Sequence, residues 1–172
     1  IVEENGRIEW VSGSFGSKVS MLYPTSILIG EGASSELTSI SFAGEGQYLD
    51  NGAQVFHYAP NTKSSMNTKS ISSGNGVCVF RGVIKSSENA NGSKSTVNCE
   101  SLMLSEESRS DTIPVIDLYT DDIDMVVSVK LSSSAAVICE EDLDGFLTMT
   151  LNKDDVRRQD VKPYYEYNGA VY

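Results

Sequence analysis

The sequence predicts an all-β solenoid, a parallel β-helix, and three observations carry that expectation. Apolar and polar residues alternate with period two along short segments, the mark of strands that bury one face. Polar corners rich in Gly, Ser and Asn separate them, such as AGEGQ, SGNG and SSENANGSK. Short echoes (Ser39-Ile40-Ser41, Ser70-Ile71-Ser72 and Glu100-Ser101-Leu102) recur about every thirty-one residues, and a fixed interval of that size marks stacked structural repeats. No helical period of any length occurs before about residue 139.

Taken in order, Arg7 to Val11 (RIEWV) reads as a short strand and GSFGS as a corner. Lys18 to Pro24 and Ser26 to Ile29 are strands interrupted by Pro24, and Gly30-Glu31-Gly32 is a turn. Glu36 to Phe42 sets Leu37, Ser39 and Ser41 against Thr38, Ile40 and Phe42. Asn51-Gly52 is the dipeptide read as a hairpin-type turn. Ala53 to Tyr58 is then a strand ended by Pro60, and Met66 to Ser72, Val77 to Lys85 and Ser95 to Leu104 follow. In the last of these, Thr96, Asn98, Glu100 and Leu102 oppose Val97, Cys99, Ser101 and Met103. The corner SEESRSD lacks Gly, so the chain is expected to bend there and run on in the same sense into TIPVIDLYT. The tail changes character. Leu143, Phe146, Leu147 and Thr150 fall near helical spacing in Cys139 to Leu151, with acids in the first turn. Asn152-Lys153-Asp154-Asp155 reads as the cap of a second helix through Val161, stopped by Pro163. The expected division is a β-helix core over 1–135 and a helical or irregular tail over 136–172.

The 172 residues suffice for one domain with a full core. With 24 acidic against 13 basic residues the net charge is −11, which disfavours a nucleic-acid or anionic-membrane surface. No apolar run is long enough for a transmembrane helix. The three cysteines, Cys78, Cys99 and Cys139, are odd in number and show no CxxC spacing. A disulfide framework is therefore not expected, and a reducing, cytoplasmic compartment is. A solenoid exposes strand edges at its ends, so self-association, or a partner covering the Ile1 end, is expected.

The strings WVSGSFGS, FAGEGQYLDNGAQVFH, APNTKSSMNTKSIS and FRGVIK, and above all VNCESLML followed by SRSDTIPVIDL, resemble the SufB/SufD family of iron–sulfur cluster assembly scaffolds, the SufB branch in particular. The resemblance covers roughly residues 1–120. It implies a right-handed parallel β-helix flanked by helices. It also implies a platform for cluster assembly, not a turnover enzyme. The implied partners are a SufC-like ATPase, a SufD-like or second SufB subunit, and a sulfur-relay protein. The compartment would be the cytoplasm, or the plastid stroma in a plastid-bearing eukaryote. Cys99 stands where the family places its essential core cysteine, in TVNCESLML. The implied roles are acceptor of persulfide sulfur and ligand to iron of a transient iron–sulfur cluster, chemistry that a thiolate supplies. His57 is a second candidate cluster ligand, because the family also carries His there. Elsewhere the pattern departs. The family's His-Glu-Ala element lies about twenty-eight residues after the cysteine, where this chain has Val127 and Ser128, and DDIDMVVSVKLSSSAAVI contains no His. A lone thiolate cannot complete a site that takes about four protein ligands, so weak cluster retention by the chain alone is expected. The alternative function is a structural β-helix, or SufD-like partner, that has lost the cluster site.

Other residues carry simpler expectations. Cys78, alternating with apolar neighbours in VCVFRG, reads as a core filler, and Cys139 receives no role. Arg81 must be paired if it is buried. Arg109 with Asp111 reads as a corner salt bridge, and Trp10 as a core or coil-stacking aromatic. Asp121-Asp122-Asp124 and Glu140-Glu141-Asp142-Asp144 are candidate calcium clusters, but the first lacks the Gly and distal Glu of an EF-hand loop, and a solvated face or helix start is the favoured reading.

Overall fold

The structure is a computed structural model, and it describes residues 1–133, 145–151, 166–167 and 170–171. The strands are β1 (Arg7–Phe15), β2 (Val19–Leu22), β3 (Thr25–Leu28), β4 (Ser34–Ala43), β5 (Tyr48–His57), β6 (Lys63–Ser72), β7 (Val77–Ser86), β8 (Ser93–Met103), β9 (Arg109–Asp117), β10 (Ile123–Ser133), β11 (Gly145–Leu151), β12 (Glu166–Tyr167) and β13 (Ala170–Val171). Successive coils add strands in turn to two sheets. The first runs β1-β4-β6-β8-β10-β11, and the second runs β2-β5-β7-β9 with β3 also on β5. Every pairing through β10 is parallel. This is the expected parallel β-solenoid. The Gly-free corner after β8 does carry the chain onward, from the first sheet into β9 of the second.

The coil length is not constant. Ser34 pairs with Lys63, Ser64 with Ser95, and Val77 with Arg109. The step of thirty-one residues therefore holds from β6 to β8, where Ser70 pairs with Ser101, but not from β4 to β6, where Ser41 pairs with Ser70. The corners absorb the difference. One of them is built on a column of left-handed residues, Asn5, Gly32, Asn61 and Gly92, with φ of 53°, 71°, 59° and 71°. Each donates its backbone N–H to the next coil: Asn5 to Glu31, Gly32 to Pro60, Asn61 to Asn91 and Gly92 to Asp122. Asn and Gly are the residues that tolerate this conformation.

Between the sheets the inward side chains stack in columns. Leu37, Met66, Val97 and Val127 lie in register on the first sheet, and all four are buried. Val55, Ile84 and Ile116 form a facing column on the second. Alternation along each strand sends the intervening residues to the surface, so a shift of one residue would turn every column inside out.

Four local expectations are corrected. GSFGS is not all corner, because β1 continues to Phe15, with Gly13 to Phe15 paired to Ile40 to Phe42. Asn51-Gly52 is no turn, since both residues lie inside β5. Asn51 faces inward, where its Nδ2 donates to Ser41 Oγ at 2.9 Å. Gly52 is there because a neighbouring backbone comes too close for a side chain. The third is the constant coil step. The last is the helix read over 139–151, whose described part, Gly145 to Leu151, is a strand antiparallel to β10, with Leu131 opposite Gly145 and Met125 opposite Leu151. The helix capped at Asn152, and the boundary at 135–136, lie outside the described residues. Pro114 is accommodated because β9 is the last strand of its sheet.

Candidate functional site

Alternation along β8 points Ser95, Val97, Cys99 and Ser101 into the solenoid. Register then places Cys99 between Thr68 of β6 and Val129 of β10. Its column reads Ser12, Ser39, Thr68, Cys99, Val129 from coil to coil. One side of the thiol is thus a row of hydroxyls, in which Ser12 Oγ donates to Ser39 Oγ at 2.9 Å. The other side is apolar. Cys99 is 2% exposed. Burial pushes its thiol up to about 11, and a hydrogen bond with Thr68 opposes that shift. At neutral pH the group is a thiol, not a thiolate.

Thr68 also lines a small interior cavity of about 10 Å³ with Ser39, Ser41, Asn51, Ser70, Cys78 and Ser101. That is room for about one water molecule among several polar partners. Cys78 is the buried filler expected of it, held in a cluster with Ala43 and Leu49. Its Sγ donates to the Ile71 carbonyl at 3.5 Å, and burial raises its pKa. Cys139 lies outside the described residues.

His57 ends β5 and has no solvent exposure. Its Nδ1 lies 2.7 Å from Thr62 Oγ1 and its Nε2 lies 3.0 Å from Ser64 Oγ. The Thr62 hydroxyl also reaches the Ala59 carbonyl. Both ring nitrogens thus have a hydroxyl partner, one of which accepts the ring proton while the other donates to the bare nitrogen. The hydroxyls continue into β8, Thr62 to Ser93 at 2.7 Å and Ser64 to Ser95 at 2.6 Å. His57 thus belongs to the Ser64–Ser95 level. Cys99 lies four residues farther along β8, roughly 13 Å away at strand rise. The structure does not bring the two together. Val127 and Ser128 pair with Val97 and Asn98, and Val127 adds to the apolar side. Among the described residues no three His, Cys, Asp or Glu side chains converge as a metal site. One thiol does not fit a complete cluster site.

Burial lowers the His57 pKa to about 4, from the ordinary 6.5. The unfolded imidazole takes up its proton as pH falls through 6.5, and the folded one only near 4. The unfolded state therefore binds more protons between these values, and stability present above pH 6.5 is lost as pH falls toward 4. The loss attributable to His57 is on the order of 3 kcal/mol. Urea unfolding at steps from pH 7 to pH 4.5 is expected to show a steeper decline for the wild type than for His57→Gln. Parallel slopes would contradict the assignment.

Arg81 is exposed on the outer face of β7, so burial does not require its pairing, yet it is paired. Its Nε lies 3.1 Å from both carboxylate oxygens of Asp50, which is 3% exposed. Tyr23 joins them, and its phenol is pushed up to about 12 by partial burial, then by the hydrogen bond to Asp50 and its charge. Arg109 bridges to Asp111 at 2.9 Å. Trp10 is not the core aromatic expected of it: it is 37% exposed on the first coil, where its Nε1–H donates to Ser26 Oγ at 3.0 Å. Sequence reasoning did not single out Thr68, Asp50 or the serine ladders. The available signal was Ser and Thr recurring at inward positions of period-two strands.

Fold and site together define a parallel β-helix in which one of two buried thiols, Cys99, is set between a hydroxyl row and an apolar wall. The family model for the SUF system FeS cluster assembly SufBD core domain matches residues 1–132, and the chain belongs to the SufBD family. Its relatives include the iron–sulfur cluster assembly SufBD family proteins of Staphylococcus haemolyticus, Staphylococcus epidermidis and Staphylococcus aureus. Each is 39% identical over 165 residues, which is 96% of this chain and 35% of the relative. The chain thus spans about a third of the length of these relatives.

Proposed function

We propose that the chain is a SufB-type component of an iron–sulfur cluster assembly scaffold, in which Cys99 accepts sulfur. The supporting observation is an inward thiol on β8, hydrogen-bonded to Thr68 in the row of hydroxyls of its own column. In the transfer, a partner opens the site, the Cys99 thiol loses its proton to solvent, and the resulting thiolate attacks the terminal sulfur of a donor persulfide. The donor's S–S bond breaks, the donor leaves as a thiolate, and Cys99 becomes the persulfide, with no net oxidation. Iron and the cluster are cargo, and this chain contributes one sulfur ligand to them. The other ligands come from a SufD-like subunit, a second copy of the chain, or His57 in a rearranged state. ATP hydrolysis belongs to a SufC-like partner, and sulfur arrives on a relay protein. We place the chain in the cytoplasm, or in the plastid stroma of a plastid-bearing host, in keeping with the free thiols of Cys78 and Cys99.

The second reading, a structural β-helix or SufD-like partner without a cluster site, draws on the closed apolar side formed by Val127 and Val129. Anaerobic reconstitution with iron and sulfide, alone and with SufC-like and SufD-like subunits, separates the two. The scaffold reading expects visible charge-transfer absorption that is weak alone, stronger in the complex, lost in Cys99→Ser and kept in Cys78→Ser and Cys139→Ser. A colourless wild type in both settings favours the structural reading. Colour retained by Cys99→Ser removes Cys99 from the site.

A further inference from the structure

On the outer face of the second sheet, away from Cys99, a groove of about 350 Å³ opens between the ends of β5, β7 and β9. Register stacks Phe56, Lys85 and Asp117 from coil to coil along its floor. Tyr58 lies over Phe56, with ring centroids 6.5 Å apart and planes 16° apart. Tyr119 stands across from them, and Glu88 is at the rim. Tyr58 and Tyr119 are 52% and 63% exposed. Both are held from β7 and the residue after it: the Tyr119 N–H donates to Ser86 Oγ at 3.0 Å, and Ser87 Oγ donates to the Tyr58 carbonyl at 3.2 Å. Lys85 Nζ is 3.2 Å from Asp117 Oδ2, to which Tyr119 Oη also donates at 3.5 Å.

We propose that this groove takes an arginine side chain of a basic partner protein. An anionic occupant would meet Glu88 beside an Asp117–Lys85 pair whose charges offset each other. An apolar occupant would strip water from Lys85, Asp117 and Glu88 without returning hydrogen bonds. A guanidinium matches both features. It stacks flat on aromatic faces, and its fork of N–H donors suits carboxylates. Hydrogen bonds hold the backbone at both tyrosines, which places the two rings at the groove. The net charge of −11 draws a basic partner toward the chain.

The test is NMR of the chain with ¹³C-labelled tyrosine rings, titrated with an acetylated, amidated Gly-Arg-Gly peptide. A matched peptide carries citrulline, the uncharged shape analogue of arginine. Saturable shifts of the Tyr58 and Tyr119 rings are expected with arginine, and affinity about tenfold lower with citrulline. Glu88→Gln is expected to weaken binding about threefold, and Tyr119→Ala to abolish it. Both side chains lie at the groove surface, and far-UV circular dichroism verifies that the fold is kept. Equal titration by citrulline, no saturable tyrosine shift, or undiminished binding by Tyr119→Ala would each overturn the proposal.

Discussion

Gly52→Ala is expected to be among the most destabilising single substitutions in the β-helix, costing about 3 kcal/mol or more. A Cβ at this position would lie 2.0 Å from the Arg81 carbonyl oxygen, 2.8 Å from its carbon and 3.1 Å from its nitrogen. All three atoms are backbone of the paired strand β7, which β5 and β9 hold on either side. Arg81 is further tied to buried Asp50. The strand cannot yield without breaking its register. Gly82→Ala is the internal comparison. Its Cβ would meet the Phe80 ring at 3.0 Å and the Met66 sulfur at 3.5 Å. Those are side chains that can turn aside, so about 1 kcal/mol is expected. Urea denaturation of both variants measures the difference. A loss in Gly52→Ala no larger than in Gly82→Ala would contradict the β5–β7 register.

The second large effect is chemical silence at Cys99. Raising the thiol to about 11 from 9.0 lowers the thiolate fraction near neutral pH by about 100-fold. Exposure of 2% adds a barrier of access. Iodoacetamide should therefore alkylate Cys99 in the folded chain at least about 100-fold more slowly than in urea, and the folded rate should rise about tenfold per pH unit below pH 11. Mass spectrometry of the Cys99 peptide gives both rates. Equal rates in the folded and unfolded chain would mean that β10 does not cover the thiol. If Cys99 is a sulfur acceptor, a partner has to open this site, so uptake by the chain alone is expected to be slow.

Much of the architecture was legible in the residues. Val97, Cys99 and Ser101 alternate with Asn98 and Glu100, and that alone sets Cys99 on an inward face. The missing Gly in SEESRSD foretold a chain that runs on instead of reversing. Asn51-Gly52 misled because a dipeptide suited to a tight turn also suits a strand where two backbones crowd, and only the register tells them apart. The echo near thirty-one residues misled between β4 and β6 because corners differ in length while strand pairing follows side-chain burial. Residues 145–151 carry both spacings: Phe146 and Leu147 suggest a helix face, while GFLTMTL also alternates. The open edge of β10 decided for pairing. The Thr68 neighbour of Cys99 comes from the preceding coil, thirty-one residues away, so no local pattern paired the two, whereas Thr62 and Ser64 follow His57 by five and seven residues.

The most direct test of Cys99 as sulfur acceptor is persulfide mapping. The chain, in complex with SufC-like and SufD-like subunits, is exposed to a persulfide-bearing donor protein. Unreacted thiols are then blocked, and peptides containing Cys78, Cys99 and Cys139 are weighed. The expected result is one added sulfur atom on the Cys99 peptide, slow in the chain alone and faster in the complex, with none gained by Cys99→Ser. Sulfur found on Cys78 instead, or taken up equally by Cys99→Ser, would contradict the role of Cys99.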